Sequence, residues 1–425
     1  MTAEKRLLRS QSAPLPSQTD LSNLHQPQNN PFEKITETNT NKAVSPVSKK
    51  ELYAARIGFF TGGFTVASWA PLIPFVQSEL ALTPMILGTL LLGLGVGSFV
   101  GMPLAGGLSR RIGAKNAILF SGLASCLLLI LLAWMPSFAF ECMALFLYGI
   151  TLGCLEVSVN IYGTYLEKRN GARLMSGLHA AYSIGEVVSA AMITTLFILG
   201  VTPLATILVL MVALSLALGY LMHGIANVKI GKTDKNERGF RFTITKPIAV
   251  IALLCATIFL TEGAMLDWSA IYLRDNAGVA QEASALGYTL FVIAMALSRL
   301  IGDRLTTRFG PVTILSLGIS IILLSLIVLI IAPIPVVAYA SLFMMGLGIA
   351  NLAPILISAA SRTNSMDGVK AITAVTTVGY GGLLLGPALI GSISSAISLQ
   401  GAFAGICFLL MLALALVAKD RNIYR

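Results

Sequence analysis

Long apolar runs recur along this chain of 425, and since a membrane-spanning helix needs about 20 mainly apolar residues, nothing else narrows its fold so far. The plainest are AILFSGLASCLLLILLAWM, from Ala117 to Met135, and IILLSLIVLIIA, from Ile321 to Ala332. In hydrocarbon a backbone must satisfy its own polar groups, which leaves the helix as the element such runs form. Charged residues make up 11% of the chain, whereas soluble domains carry about 25%. The expectation is an all-α membrane protein of many spans.

With Pro, Gly and charge clusters as punctuation, twelve spans start near residues 54, 84, 114, 138, 173, 202, 247, 283, 312, 335, 368 and 401. Basic residues follow the cytoplasmic face, and that rule tests the count. Of 29 lysines and arginines, only Arg274 lies in an odd-numbered link. The others lie in the N-terminal tail, at the C-terminus, or in and beside even-numbered links. A miscount by one helix would destroy the alternation. The reading is twelve transmembrane helices in a plasma membrane, with both termini cytoplasmic. The formal net charge of +10 then reflects topology, and no nucleic-acid partner is expected.

Residues 1–52 are polar and too poor in hydrophobes to bury a core, so they are expected to be a disordered cytoplasmic tail. The largest internal link, NVKIGKTDKNERGFRFTITKP, makes 227–246 a cytoplasmic linker between a six-helix bundle at 53–226 and another at 247–420. An internal repeat supports the division. Arg111-Ile112-Gly113 and Arg308-Phe309-Gly310 lie 197 positions apart, and the same offset relates Gly149 to Gly346 and Gly185 to Gly382. Duplicated halves of this kind occur in transporters whose substrate site lies between the repeats. The five cysteines fall in apolar runs without a CxxC pair, which argues for packing over disulfide, metal or redox work. Gly93, Gly97 and Gly101 repeat every four residues within the second span, the pattern of close helix packing.

Twelve helices in two halves, a long central link and the basic turns RRIG and TRFG resemble the major facilitator superfamily. GGLSRRIGAK, from Gly106 to Lys115, is similar to that superfamily's link-two motif, G-x-L-x-D-R-x-G-R-K. Gly106, Leu108, Arg111, Gly113 and Lys115 match, while Arg110 stands at the motif's aspartate. The resemblance implies a gating role for Gly106, Arg111 and Gly113, without the usual acid. GCLEVSVN, from Gly153 to Asn160, resembles the fucose:proton symporter branch around its essential glutamate. LHAAYSIG, EGAMLDW and GYGGLLLGP look closer to a YbjJ-type group of bacterial inner-membrane proteins related to that branch. The first span lacks an acid that the fucose carriers have there, and His179 and Tyr182 replace amides, so fucose itself is not implied.

Glu156 lies far inside the fourth span. An ionised carboxylate at the bilayer centre costs at least about 2.5–3.5 kcal/mol, so it faces a bundle interior or an aqueous cavity. It can also lower that cost by taking up a proton, which suits a proton-coupled carrier. The alternative is a structural hydrogen bond to neighbouring backbone. Asn160 follows one turn later. His179, Tyr182 and Glu186 share one face of the fifth span, at depths matching Asn160 and Glu156; a packed core histidine is the other account of His179.

Glu262 in the seventh span is a cavity candidate, as is Asp267 beside Trp268, a residue that also suits an interfacial anchor. Arg299 and Asp303 are spaced for a salt bridge at a gate, or for an arginine that snorkels to the interface. Asn351, Pro354 and Tyr380 are further polar or helix-breaking candidates. Trp69 beside Pro71 offers a ring for sugar stacking, or packing at a kink. Glu156, Glu186 and Glu262 are thus the proton-coupling candidates. Asn160, His179, Tyr182, Trp69, Asp267, Asn351 and Tyr380 are the substrate candidates.

The chain shows no Walker motif, nucleophile elbow or HExxH, so no cofactor, metal site or enzymatic activity is expected. The leading expectation is a monomeric secondary carrier in the lipid bilayer, moving a small polar, sugar-like solute with protons. Drug or metabolite efflux, or a transport-inactive receptor or scaffold, are the alternatives.

Overall fold

In a computed structural model of the chain the described residues are 47–170, 174–223, 225–228, 245–362 and 368–420. The tail to residue 46 and the linker over 229–244 lie outside them. Twelve helical stretches among the described residues are long and apolar enough to cross a membrane. The first is α1 (Lys49–Trp69) and α2 (Ile73–Glu79), joined by a 3-10 turn at Ala70–Leu72 that accommodates Pro71. Then come α3 (Pro84–Ile112), α4 (Ala114–Leu132), α5 (Phe138–Asn170), α6 (Met175–Ile198) and α7 (Pro203–Met222). The later spans are α8 (Lys246–Asn276), α9 (Gln281–Phe309), α10 (Pro311–Ile331), α11 (Pro335–Ile349) with α12 (Leu352–Arg362), α13 (Gly368–Ala396) and α14 (Leu399–Lys419).

The first helix starts earlier than the apolar pattern suggests. Ser48 caps it by accepting from the Glu51 amide, and Glu51 accepts from the Ser48 amide in return. This reciprocal capping box satisfies two N–H groups that would otherwise lack partners. Lys49 to Leu52, expected in the tail, are therefore helical.

The repeat seen in the sequence recurs in the packing. Helix α3 packs on α5 as α9 packs on α11, and α1 packs on α6 as α8 packs on α13. Gly149 meets the Leu94 carbonyl, and Gly346, 197 positions on, meets that of Phe291, also 197 on from Leu94. Gly97 and Gly101 press on the Phe146 and Ile150 carbonyls, whereas Gly93 faces open space and takes no part in the seam. The peripheral helices turn large apolar side chains outward, among them Leu216, Phe408 and Ile331. The span of α1 and α2 lies inside the bundle, with 83% of its most apolar window buried.

The RRIG and TRFG turns each end on a glycine of positive φ, +86° at Gly113 and +82° at Gly310. With ψ of 155° and 153° both sit in a region nearly closed to other residues. Gly113 is also crowded. Asn227 donates from Nδ2 to the Ile112 carbonyl at 2.5 Å, Ala114 donates to the Val228 carbonyl at 2.8 Å, and Lys115 reaches the Ile225 carbonyl at 3.2 Å. The turn is thereby fastened to the segment after α7. A Cβ at Gly113 would overlap the Asn227 amide, while one at Gly310 would meet nothing within 4 Å. Gly310→Ala is expected to cost about 1–3 kcal/mol of backbone strain. Gly113→Ala should add a steric penalty and melt at a lower temperature than Gly310→Ala in thermal unfolding of the detergent-solubilised proteins.

The two largest seams between the first six spans and the last six are α3 against α13 and α6 against α9, with smaller contacts of α2 on α8 and α9. Among the described residues the hydrogen bonds across them lie toward the end that carries the odd-numbered links. Met85 donates from its amide to Ser395 Oγ at 2.8 Å, and Thr194 and Thr289 pair through their hydroxyls at 2.9 Å. Gly88 and Gly391 bring α3 and α13 into backbone contact nearby. The molecule is closed at this end.

Candidate functional site

Four helices bring four of the intramembrane charges together. Glu186 on α6 lies within electrostatic range of Glu156 on α5, Glu262 on α8 and Arg299 on α9. Arg299 Nη2 stands 3.7 Å from Glu262 Oε1, a loose ion pair with the arginine side chain 40% exposed. Neither the Glu156 nor the Glu186 carboxylate has a hydrogen bond or ion pair among the described residues. Both side chains are partly accessible. The cluster thus holds one paired and two unpaired carboxylates beside a single guanidinium.

Aromatic side chains border it. Tyr182, one turn before Glu186, lies within range of Glu156 and Glu186 and places its ring over Gly62 of α1. Tyr380 on α13 is within range of Glu156 and Glu262 and packs on Phe259 with the rings tilted by 34° and their centroids 5.2 Å apart. His179 is exposed and meets Phe59 edge-on at 5.1 Å, within range of Arg299. An exposed ring is not the fully packed core histidine.

Tyr288 of α9 is near Glu186 and Asp267, and the sequence reading missed it. Its only signal was a hydroxyl in the middle of an apolar span. Phe259 was missed as well, because a phenylalanine in such a span carries no signal at all.

The remaining candidates fall elsewhere or are already engaged. Asn160 uses one amide N–H on the Glu156 backbone carbonyl, at 2.8 Å. Asn351 marks the break between α11 and α12 and donates to the Ser298 carbonyl and hydroxyl at 3.2 and 3.1 Å. With Gly302, Thr306, Pro354, Ser358 and Arg362 it lines a cleft of about 430 Å³, whose walls include none of the three glutamates. Trp69 is buried beside the 3-10 turn, which favours packing over an open stacking platform. Trp268 is fully buried, so it is no interfacial anchor; Asp267 beside it is partly accessible.

Arg299 meets Glu262 on the neighbouring helix and so does not simply reach for the interface. The side chain of Asp303 lies outside the described residues. Gly106 is loosely surrounded and Arg111 is exposed, while Gly113 and Lys115 of the same motif have defined structural tasks in the turn. The fourth and fifth spans differ from the simplest hairpin: α6 packs chiefly on α1 and α9 and touches α5 only slightly. Their polar faces meet across the cluster and are not pressed together.

Twelve spans in duplicated halves around a charged, partly accessible centre describe a membrane transporter. The sequence profile of the Major Facilitator Superfamily matches residues 56–364 and, in an overlapping second match, 253–422. An uncharacterised MFS-type transporter of Yersinia pestis is 36% identical over 87% of this chain and 95% of its own length. An uncharacterised transporter of Sinorhizobium fredii is 31% identical over 85% and 97%. Among solved structures, a point mutant of the nucleoside transporter NupG superposes with a TM-score of 0.72 at 14% identity, covering 88% of this chain and all of that one. The chain belongs to the Major Facilitator Superfamily.

Proposed function

We propose that the protein is a secondary active carrier that moves a small polar solute, sugar-like or a related metabolite, together with protons. The observation that carries this reading is the pair of unpaired carboxylates, Glu156 and Glu186, facing the Glu262–Arg299 pair inside the membrane. An unpaired acid there is costly when charged and much less so when protonated. Each transport cycle can therefore load and discharge a proton. Glu156 is the proton-exchanging residue, because it also matches the fucose:proton symporter branch, to which we assign the chain. Tyr182, His179 and Tyr380 contact the solute.

In this reading residues 53–226 and 247–420 move as two bundles joined by the linker 227–246, and the even-numbered links and both termini face the cytoplasm. The state described above, closed at the odd-link end, is then inward-facing. A reporter fused after Lys235 should be cytoplasmic and one near Ala277 periplasmic; finding both on one side would refute this orientation. The functional test is uptake of a panel of radiolabelled monosaccharides and polyols into vesicles of overexpressing cells, with an imposed proton gradient and with the gradient collapsed. At least one solute should accumulate only with the gradient. Equal uptake in both conditions across every transported solute would remove the proton from the mechanism.

A further inference from the structure

Arg274, placed in an odd-numbered link by its sequence position, is helical in the structure, and the mechanism gives it no role. It lies in the last turn of α8 and reaches across to α2. Its Nη1 donates to the Pro74 carbonyl at 2.9 Å and its Nη2 to Gln77 Oε1 at 2.6 Å. Asp275 accepts from Nε at 2.6 Å and from Nη2 at 3.2 Å, which orients the guanidinium from within its own helix. Beside this contact Gln281 Nε2 donates to Ser78 Oγ at 3.1 Å.

Gln77 and Arg274 are 197 positions apart, the offset of the internal repeat. Repeat-equivalent residues touch only close to the axis that relates the two halves. Contact between these two therefore places Arg274 beside that axis, at the closed end. Duplication alone would set like against like there. This chain instead sets a guanidinium against an amide oxygen and a carbonyl. Hydrogen bonds with an ionised donor are roughly twice as strong as neutral ones. The Thr194–Thr289 and Met85–Ser395 bonds across the seams are neutral.

We propose that Arg274 is the latch of the odd-link gate. It holds α2 against α8 while the gate is shut, and gives up both acceptors on α2 when the halves part there. Asp275 travels with it and keeps the guanidinium partnered in the open state, so the latch can close again. The inference rests on the alternating-access reading and adds to it the residue that sets the balance between the two states.

The test uses full-length protein in nanodiscs, with the five native cysteines replaced and spin labels at Leu199 and Ile397. These positions are 71% and 76% exposed and lie at the closed end, one in each half. Arg274→Ala should raise the ratio of long to short label distances about tenfold, the effect of losing roughly one charged hydrogen bond. Gln77→Ala leaves the Pro74 acceptor and should raise the ratio less. If Arg274→Ala does not fold, Gln77→Ala alone carries the test. A wild type showing both distances, with the ratio unmoved by the substitutions that fold, overturns the latch and leaves alternating access standing. A single unchanged distance in wild type and variants, from pH 5 to 8, overturns both.

Discussion

Glu156→Gln is expected to abolish accumulation of solute against a gradient while preserving exchange of solute for solute. Glutamine keeps the volume and the hydrogen-bonding capacity of the side chain and removes only titration. Each pH unit across the membrane is worth about 1.4 kcal/mol per coupled proton, a tenfold accumulation. A carrier whose proton site is permanently neutral loses that drive and only equilibrates its solute. Exchange needs no net proton movement and should survive. In wild-type protein solute binding should vary with pH, and the dependence should flatten in the variant. Glu186 and Glu262 are the internal comparisons. Glu262 has Arg299 as a partner, so Glu262→Gln strands a cation and should impair binding as well as coupling.

The second large effect concerns folding. At the α3–α5 seam the two backbones approach with no room for a side chain. A Cβ on Gly149 would overlap the Leu94 carbonyl, and one on Gly101 that of Ile150. Overpacking by even one methyl group costs about 1–3 kcal/mol when neighbours can shift. Here the obstacle is helix backbone, which cannot move without parting the seam. Gly149→Leu should therefore yield little monodisperse protein after detergent extraction, and Gly149→Ala a protein that melts earlier than wild type. Gly93→Ala is the control. It belongs to the same four-residue pattern but meets nothing within 4 Å, so extraction yield and melting should match wild type.

That contrast indicates how much was legible in the sequence. Periodicity picks out the glycine stripe but not which of its members faces a neighbour, since that depends on how two helices cross. The spans themselves were legible because long unbroken apolar runs cross hydrocarbon as helices, and the alternation of basic links supported their number. The 197-residue offset pointed to duplicated halves, and the structure repeats the packing of α3 on α5 in that of α9 on α11, because duplicated sequence folds into duplicated contacts. Intramembrane acids were visible as isolated charges in apolar runs.

What joins those acids was not visible. Arg299 meets Glu262 from another helix, and no local spacing encodes that. Trp268 looks like an interfacial ring by position and is buried, because α8 is an inner helix. The Gln77–Arg274 contact could have been suspected from the repeat, which aligns the two positions, combined with the oddity of a lone arginine among odd-numbered links.

The most direct measurement of the central claim is proton movement driven by solute. Wild-type and Glu156→Gln protein would be reconstituted in lightly buffered liposomes with a trapped pH dye. Each monosaccharide or polyol that is taken up would be added outside with no imposed pH gradient. Inward flow of a transported solute should acidify the lumen of wild-type liposomes and leave the lumen of Glu156→Gln liposomes unchanged. Transport of labelled solute by the wild type with no change in lumenal pH, or equal acidification in the variant, would contradict the claim.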